Sequence, residues 1–134
     1  MQQEDKDLLL KDLCARSPYK VKCAVIGEKQ PFTLTTIEVD YINGHLFNFL
    51  ELRKGFVVQV YTSELKPYLF PLSSMTEEQK VIYGDLCYAV IHSLAWDMQA
   101  ALNELVDWLN KNHFDYRNLI KKGLALDATG LNIY

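Results

Sequence analysis

The hydrophobic period of the chain changes near its middle. Up to residue 62, apolar side chains mostly recur at every second position; from residue 77 they recur at every third or fourth. The first spacing lines one face of a strand and the second one stripe of a helix. Between them lies the segment 66–80, on which the two halves pivot. Pro67 and Pro71 bracket its apolar part. Each lacks a backbone donor and restricts the residue before it, so this part is expected to be neither regular helix nor central strand. Tyr68, Leu69, Phe70 and Leu72 are expected to plug the space between the halves. Thr76 with Gln79 has capping-box spacing, and so does Ser74 with Glu77, so a helix is predicted to start here.

The first half opens on a short predicted helix, 5–15, with Leu8, Leu9, Asp12 and Leu13 along one stripe. Ser17-Pro18 ends it. Strand 19–26 follows, with Tyr19, Val21, Cys23 and Val25 on one face and Lys20 and Lys22 on the other. In strand 32–42 the phase slips. Phe32 and Leu34 share one parity, and Ile37, Val39 and Tyr41 the other. A strand changes face only through an extra residue, which predicts a β-bulge near Thr35-Thr36. Asn43-Gly44 signals a two-residue hairpin into strand 45–52, and Arg53-Lys54-Gly55 a three-residue hairpin into strand 56–62. The pattern predicts an α+β fold built on a curled antiparallel four-stranded meander. That sheet suits an SH3-like half barrel as well as an open sheet covered by helices.

In the second half, helix 77–94 carries a wide stripe of Ile82, Tyr83, Leu86, Cys87, Val90, Ile91 and Leu94, all expected to be buried. A break is placed near residues 93–97, with one continuous helix as the alternative. Asp97 is the candidate N-cap of a helix reaching about residue 112, with Ala101, Leu102, Leu105, Trp108 and Leu109 inward. Trp96 is also expected in the core. Asp115 can cap a short third helix ending at Gly123, a candidate C′ glycine. The apolar tail from Leu124 to Tyr134 is expected to pack down. The whole reads as one domain, divided into a helix plus meander (1–65), the pivot (66–80) and a helical part (81–134).

Composition narrows function mainly by exclusion. A net charge of −3 argues against a general nucleic-acid binder, which normally presents a basic face. Within 77–107 stand six carboxylates (Glu77, Glu78, Asp85, Asp97, Glu104 and Asp107) against Lys80 alone. Cys14, Cys23 and Cys87 are odd in number and widely spaced, which fits reduced thiols and a cytoplasmic setting rather than a disulfide framework. The polar, acidic N-terminus is no signal peptide, and no apolar run reaches membrane-spanning length.

Catalytic motifs are absent from the sequence. Cys87 and His92 lie about 140° apart around their helix at 3.6 residues per turn, so they do not face each other. His45 and His113 have no metal-ligand spacing. No catalytic residue, metal or cofactor is expected. The densest chemistry is His113-Phe114-Asp115-Tyr116-Arg117. Exposed Tyr and Arg anchor interfaces, so Phe114, Tyr116 and Arg117 form a candidate interaction patch. The same residues also suit a structural turn, with Asp115 capping, Phe114 in the core and Arg117 paired locally.

Three stretches resemble a family of small uncharacterised proteins widespread in gut Bacteroides genomes, prophages and mobile elements. They are Leu-Lys-Asp-Leu-Cys-Ala-Arg-Ser-Pro-Tyr-Lys-Val-Lys-Cys-Ala-Val (10–25), Lys-Pro-Tyr-Leu-Phe-Pro-Leu-Ser-Ser-Met-Thr-Glu-Glu-Gln (66–79) and Asn-His-Phe-Asp-Tyr-Arg-Asn-Leu-Ile-Lys-Lys-Gly-Leu-Ala-Leu-Asp-Ala (112–128). The resemblance implies a bacterial or phage cytosolic protein and brings no catalytic residue. The leading expectation is therefore a non-enzymatic protein-interaction or accessory module with a protein partner. One alternative is a nucleic-acid-associated domain using Lys20, Lys22, Lys29, Arg53 and Lys54, or an inhibitor whose acidic helices occupy a DNA-binding protein. An enzyme is the third.

Overall fold

Residues 1–40, 45–53, 55–94 and 97–134 are described by a computed structural model. Among them the chain forms a mixed α+β fold with three helices and one seven-stranded sheet. Helix α1 (Gln3–Arg16) leads into β1 (Lys22–Val25), β2 (Phe32–Asp40), β3 (His45–Arg53), β4 (Phe56–Tyr61) and β5 (Leu65–Pro71). Helices α2 (Glu77–His92) and α3 (Met98–Lys111) follow, then the two-residue strands β6 (Phe114–Asp115) and β7 (Leu126–Asp127).

The sheet runs β4-β3-β2-β1-β5-β6, with β7 also on β5. Pairing is antiparallel from β4 to β5 and parallel where β6 and β7 join β5. It is an open seven-stranded sheet rather than a four-stranded half barrel. The two strands from the C-terminal region have only two residues each, too few to show any period.

The largest departure from expectation is the pivot, because the proline-bracketed segment is a strand with partners on both sides. Cys23 pairs with Pro67, and Val25 with Leu65. Extended residues present their polar groups alternately to opposite sides. The Leu69 carbonyl accepts from the Ala128 N–H at 2.9 Å. Pro67 and Pro71, each two residues from Leu69, therefore turn their donorless nitrogens the same way, away from β1. The β1–β5 ladder loses nothing to the prolines.

Other local signals fold as their chemistry dictates. The β2–β3 register steps from Leu34↔Leu50 to Thr36↔Phe49, which puts a bulge at Thr35. Thr76 and Gln79 exchange both bonds of the capping box at the start of α2. Helices α2 and α3 are separate, and Ser93 turns its hydroxyl back onto the Ala89 carbonyl at 2.6 Å. Asp97 is the N-cap of α3, although its side chain makes no capping bond. Gly55 and Gly123 both take positive φ, at 86° and 74°. The third helix is reduced to one turn. The Asp115 carboxylate accepts from the Leu119 and Ile120 N–H groups, each at 2.9 Å, and Gly123 closes the turn. The Asn43-Gly44 hairpin and Trp96 lie outside the described residues.

The core lies where α1 and the 119–125 segment cover the sheet. Leu9 and Leu13 meet Val21, Cys23, Phe32, Leu34, Leu50, Leu65 and Leu69 there, with Leu119, Leu124 and Ala125. Each fully buried aliphatic side chain stabilises by about 1.5–3 kcal/mol. A second cluster of Met75, Leu109 and Phe114, with Phe70, Tyr83 and Trp108 against it, roots the α2–α3 pair on the domain.

Candidate functional site

Two groups of side chains have chemistry beyond packing: a buried ionic cluster under α1 and the outer surface of the α2–α3 pair.

The ionic cluster begins on α1. Asp12 and Arg16 are one turn apart on the buried stripe, and both are fully buried. Arg16 Nε–H donates to Asp12 Oδ2 at 2.8 Å, and Arg117 Nη1–H donates to Asp12 Oδ1 at 2.8 Å. Arg16 Nη2–H also donates to the Phe114 carbonyl at 2.6 Å. One carboxylate thus serves two guanidinium groups, and charge-assisted bonds of this length are among the stronger ones in proteins. The Tyr116 ring carries both cations against it, at 5.4 Å from Arg16 and 4.6 Å from Arg117, and its hydroxyl donates to Asn110 Oδ1 at 2.8 Å.

The neighbouring His113 is buried and held at φ 61°. Burial, together with the Arg16 charge, lowers its pKa to about 4, so the ring is neutral near pH 7. Tyr134 stacks on it at 3.7 Å. The Tyr134 hydroxyl accepts from the Lys22 N–H and donates to the Tyr68 carbonyl, both at 2.8 Å. It stands where the β1–β5 ladder would otherwise continue. Arg16 Nη1 and His113 Nδ1 have no hydrogen-bond partner among the described residues.

The structure therefore brings Phe114, Tyr116 and Arg117 together, around Asp12 and Arg16. Phe114 is buried, Tyr116 is half-buried and bonded, and Arg117 is paired. Among the other singled-out residues, Cys23 is fully buried, and burial with the nearby Asp12 charge raises its thiol pKa. Lys22 Nζ donates to Thr33 Oγ1 at 2.8 Å, while Lys20 and Lys29 are exposed. The side chains of His45 and Arg53, and Lys54, lie outside the described residues. No group of three His, Cys, Asp or Glu side chains converges among the described residues. Among the described residues, no helix is long and apolar enough to cross a membrane.

The second surface departs from the periodicity. Not one residue of α2 is buried. Of its expected buried stripe, Ile82, Ile91 and Leu94 are exposed, while Tyr83, Leu86, Cys87 and Val90 are half-buried. Val81 and Tyr88 are exposed too, at 64% and 63%, and Ile91 reaches 74%. On α3, Leu109 is buried at 4%, yet Leu102 and Met98 on the same stripe are 37% and 41% exposed. The pair is anchored where Tyr83, Trp108 and Leu109 meet the domain, and α3 loses its cover towards its start. The sequence signal for this was the breadth of the apolar surface on α2. A helix apolar on nearly every side needs covering on every side, and α3 is the main neighbour that α2 has.

Comparison with family models, curated proteins and solved structures finds no match to this chain.

Proposed function

We propose that this chain is a non-enzymatic protein-interaction module that docks another polypeptide on the outer surface of its α2–α3 hairpin. The observation that carries the reading is the exposure of Val81, Tyr88, Ile91, Leu94, Met98 and Leu102 on one pair of adjacent helices. Scattered apolar side chains are normal on a surface, but a contiguous patch of more than a few hundred Å² marks an interaction site. The resemblance to proteins of Bacteroides, prophages and mobile elements suits a cytoplasmic accessory protein in that setting. Phe114, Tyr116 and Arg117 support such a role from beneath, by fixing the end of α3 against α1.

The test is site-specific photo-crosslinking in living cells. A photoreactive residue at Ile91 is expected to give a discrete adduct that is lost when Leu102→Asp is added. The same probe at the exposed Lys29 is expected to give none. Indistinguishable products from the two positions would refute the reading.

A further inference from the structure

We propose that the notch holding the Tyr134 ring is a binding site for para-substituted phenols, which the chain's own segment 129–134 fills as a releasable strap.

The notch lies along β5, between the Cys23↔Pro67 pair of the β1 ladder and the Phe70↔Phe114 pair with β6. Its polar end is backbone. The Lys22 N–H donates to the Tyr134 hydroxyl and the Tyr68 carbonyl accepts from it, each at 2.8 Å, while the Lys22 carbonyl stands further off at 3.5 Å. Only a group that accepts and donates through one atom satisfies both, and a hydroxyl does so. An ether accepts without donating, and an ammonium donates without accepting. Desolvation raises the Tyr134 phenol pKa, so the hydroxyl keeps the proton that Tyr68 receives.

The other end of the notch is aromatic. The His113 ring stacks on the Tyr134 ring at 3.7 Å and 13° from parallel, and Phe70 flanks it at 5.8 Å and 51°. His113 is itself fixed, because it is buried and its carbonyl accepts from the Phe70 N–H at 2.8 Å. A flat ring fits against such faces. A flat ring carrying a hydroxyl is a phenol. Lys22, Tyr68, Phe70 and His113 all lie outside the segment that fills the notch.

That segment is held lightly. Residues 129–132 are exposed, with Leu131 at 54%. Its backbone is tied at the start, where the Thr129 N–H donates to Asp127 Oδ1 at 2.9 Å and the Leu131 N–H to the Ala128 carbonyl at 3.1 Å. Beyond Leu131, the hydrogen bonds among the described residues are those of the Tyr134 hydroxyl. Tyr134 is 43% exposed, so its ring can leave without opening the core. A short tether of this kind presents its group at an effective concentration in the millimolar range, which a free phenol can match.

The test uses p-cresol, the side chain of tyrosine by itself, titrated near pH 7 into the full ¹⁵N-labelled chain. In Tyr134→Ala the Lys22 and His113 amides should shift saturably, with a Kd on the order of 1 mM, modest for a ligand of about eight heavy atoms. The unaltered chain should need about 10-fold more p-cresol, because its own tyrosine competes. 4-Methylanisole keeps the ring and the acceptor but cannot donate, and should bind Tyr134→Ala at least about 5-fold more weakly than p-cresol. N-acetyl-tyrosinamide separates the sources of the phenol. Binding at least as tight as p-cresol assigns the site to tyrosines of polypeptides, and its exclusion assigns it to small free phenols. Shifts that do not saturate, equal affinity for 4-methylanisole, or equal affinity in the variant and the unaltered chain each overturn the proposal. Should Tyr134→Ala fail to fold, Tyr134→Phe decides. It keeps the stacked ring without the hydroxyl, so p-cresol should displace it at about one-fifth of the concentration needed against Tyr134. Equal concentrations overturn the proposal.

Discussion

Replacing Asp12 by Asn should destabilise the fold more than any single change to the cations around it. The substitution keeps the shape but removes the carboxylate that, among the described residues, faces both guanidinium groups. Arg16 is fully buried and would keep one strong acceptor, the Phe114 carbonyl. Removing one partner of a buried pair costs about 3–5 kcal/mol, because the remaining charge sits uncompensated in a poorly polarisable interior. For a chain of this length that is a fall in Tm of roughly 10–20 °C. Since small domains are stable by only about 5–15 kcal/mol, the variant is expected near the edge of folding. Arg117→Gln is the contrasting case. Arg117 is 16% exposed, and without it Asp12 is still paired to Arg16. Its loss should cost about 1.5–3 kcal/mol, in the range of a single hydrogen bond to a charged group. Urea unfolding followed by far-UV circular dichroism gives both values. A double-mutant cycle between them should show coupling above about 0.5 kcal/mol, because both residues share one carboxylate. If Arg117→Gln costs more than Asp12→Asn, or if Asp12→Asn costs less than about 1 kcal/mol, the assignment of Asp12 as the centre of the cluster is wrong.

Three further outcomes follow from other contacts. The folded-state pKa of His113, about 4, lies below its ordinary value of 6.5. The unfolded chain therefore binds a proton more readily between those values. The resulting stabilisation is complete above about pH 6.5 and is lost as pH falls towards 4, amounting to at most about 3 kcal/mol. His113→Asn, which tolerates the positive φ, should lose less stability than the unaltered chain between pH 7 and 4.5 in urea titrations. Tyr134→Phe keeps the stacked ring but removes the hydroxyl between Lys22 and Tyr68, and should lower stability by about 1 kcal/mol in the same assay. Thr76→Ala removes the capping-box acceptor at the start of α2 and should cost about 0.5–2 kcal/mol, seen as a lower melting temperature; no change in Tm would mean the box contributes nothing.

What the sequence made legible was whatever depends on near neighbours. The slipped parity between Leu34 and Ile37 is enough to locate the bulge, because a strand has only two faces. Thr76 and Gln79 announce their helix because both partners of the box are three residues apart. Asp115 was read correctly as a cap, but the turn it caps is too short to become a helix. The failures all involve distant partners. The strand 65–71 looked forbidden because Pro67 and Pro71 lack donors, and only the neighbours on either side of β5 reveal which way those nitrogens point. Nothing near Arg16 in the sequence marks its carbonyl acceptor, which lies 98 residues away. For α2, spacing identified an apolar helix but could not say that its outer side would find nothing to cover it. Phe114, Tyr116 and Arg117 were picked out for their unusual chemistry, and the residues that engage them, Asp12 and Arg16, stand a hundred positions earlier.

The bond between Asp12 and Arg117 joins residues 105 apart in sequence. That distance has a consequence in time. During synthesis α1 emerges before the sheet and the other two helices, and its apolar stripe carries a carboxylate and a guanidinium that cannot be fully satisfied until Phe114 and Arg117 have left the ribosome. Contacts of such long range close late and slow folding. Nascent chains ending at Lys111 should therefore expose α1 to proteolysis, and those extended past Arg117 should protect it. Of α1, α2 and α3, the one made earliest is the last to be secured.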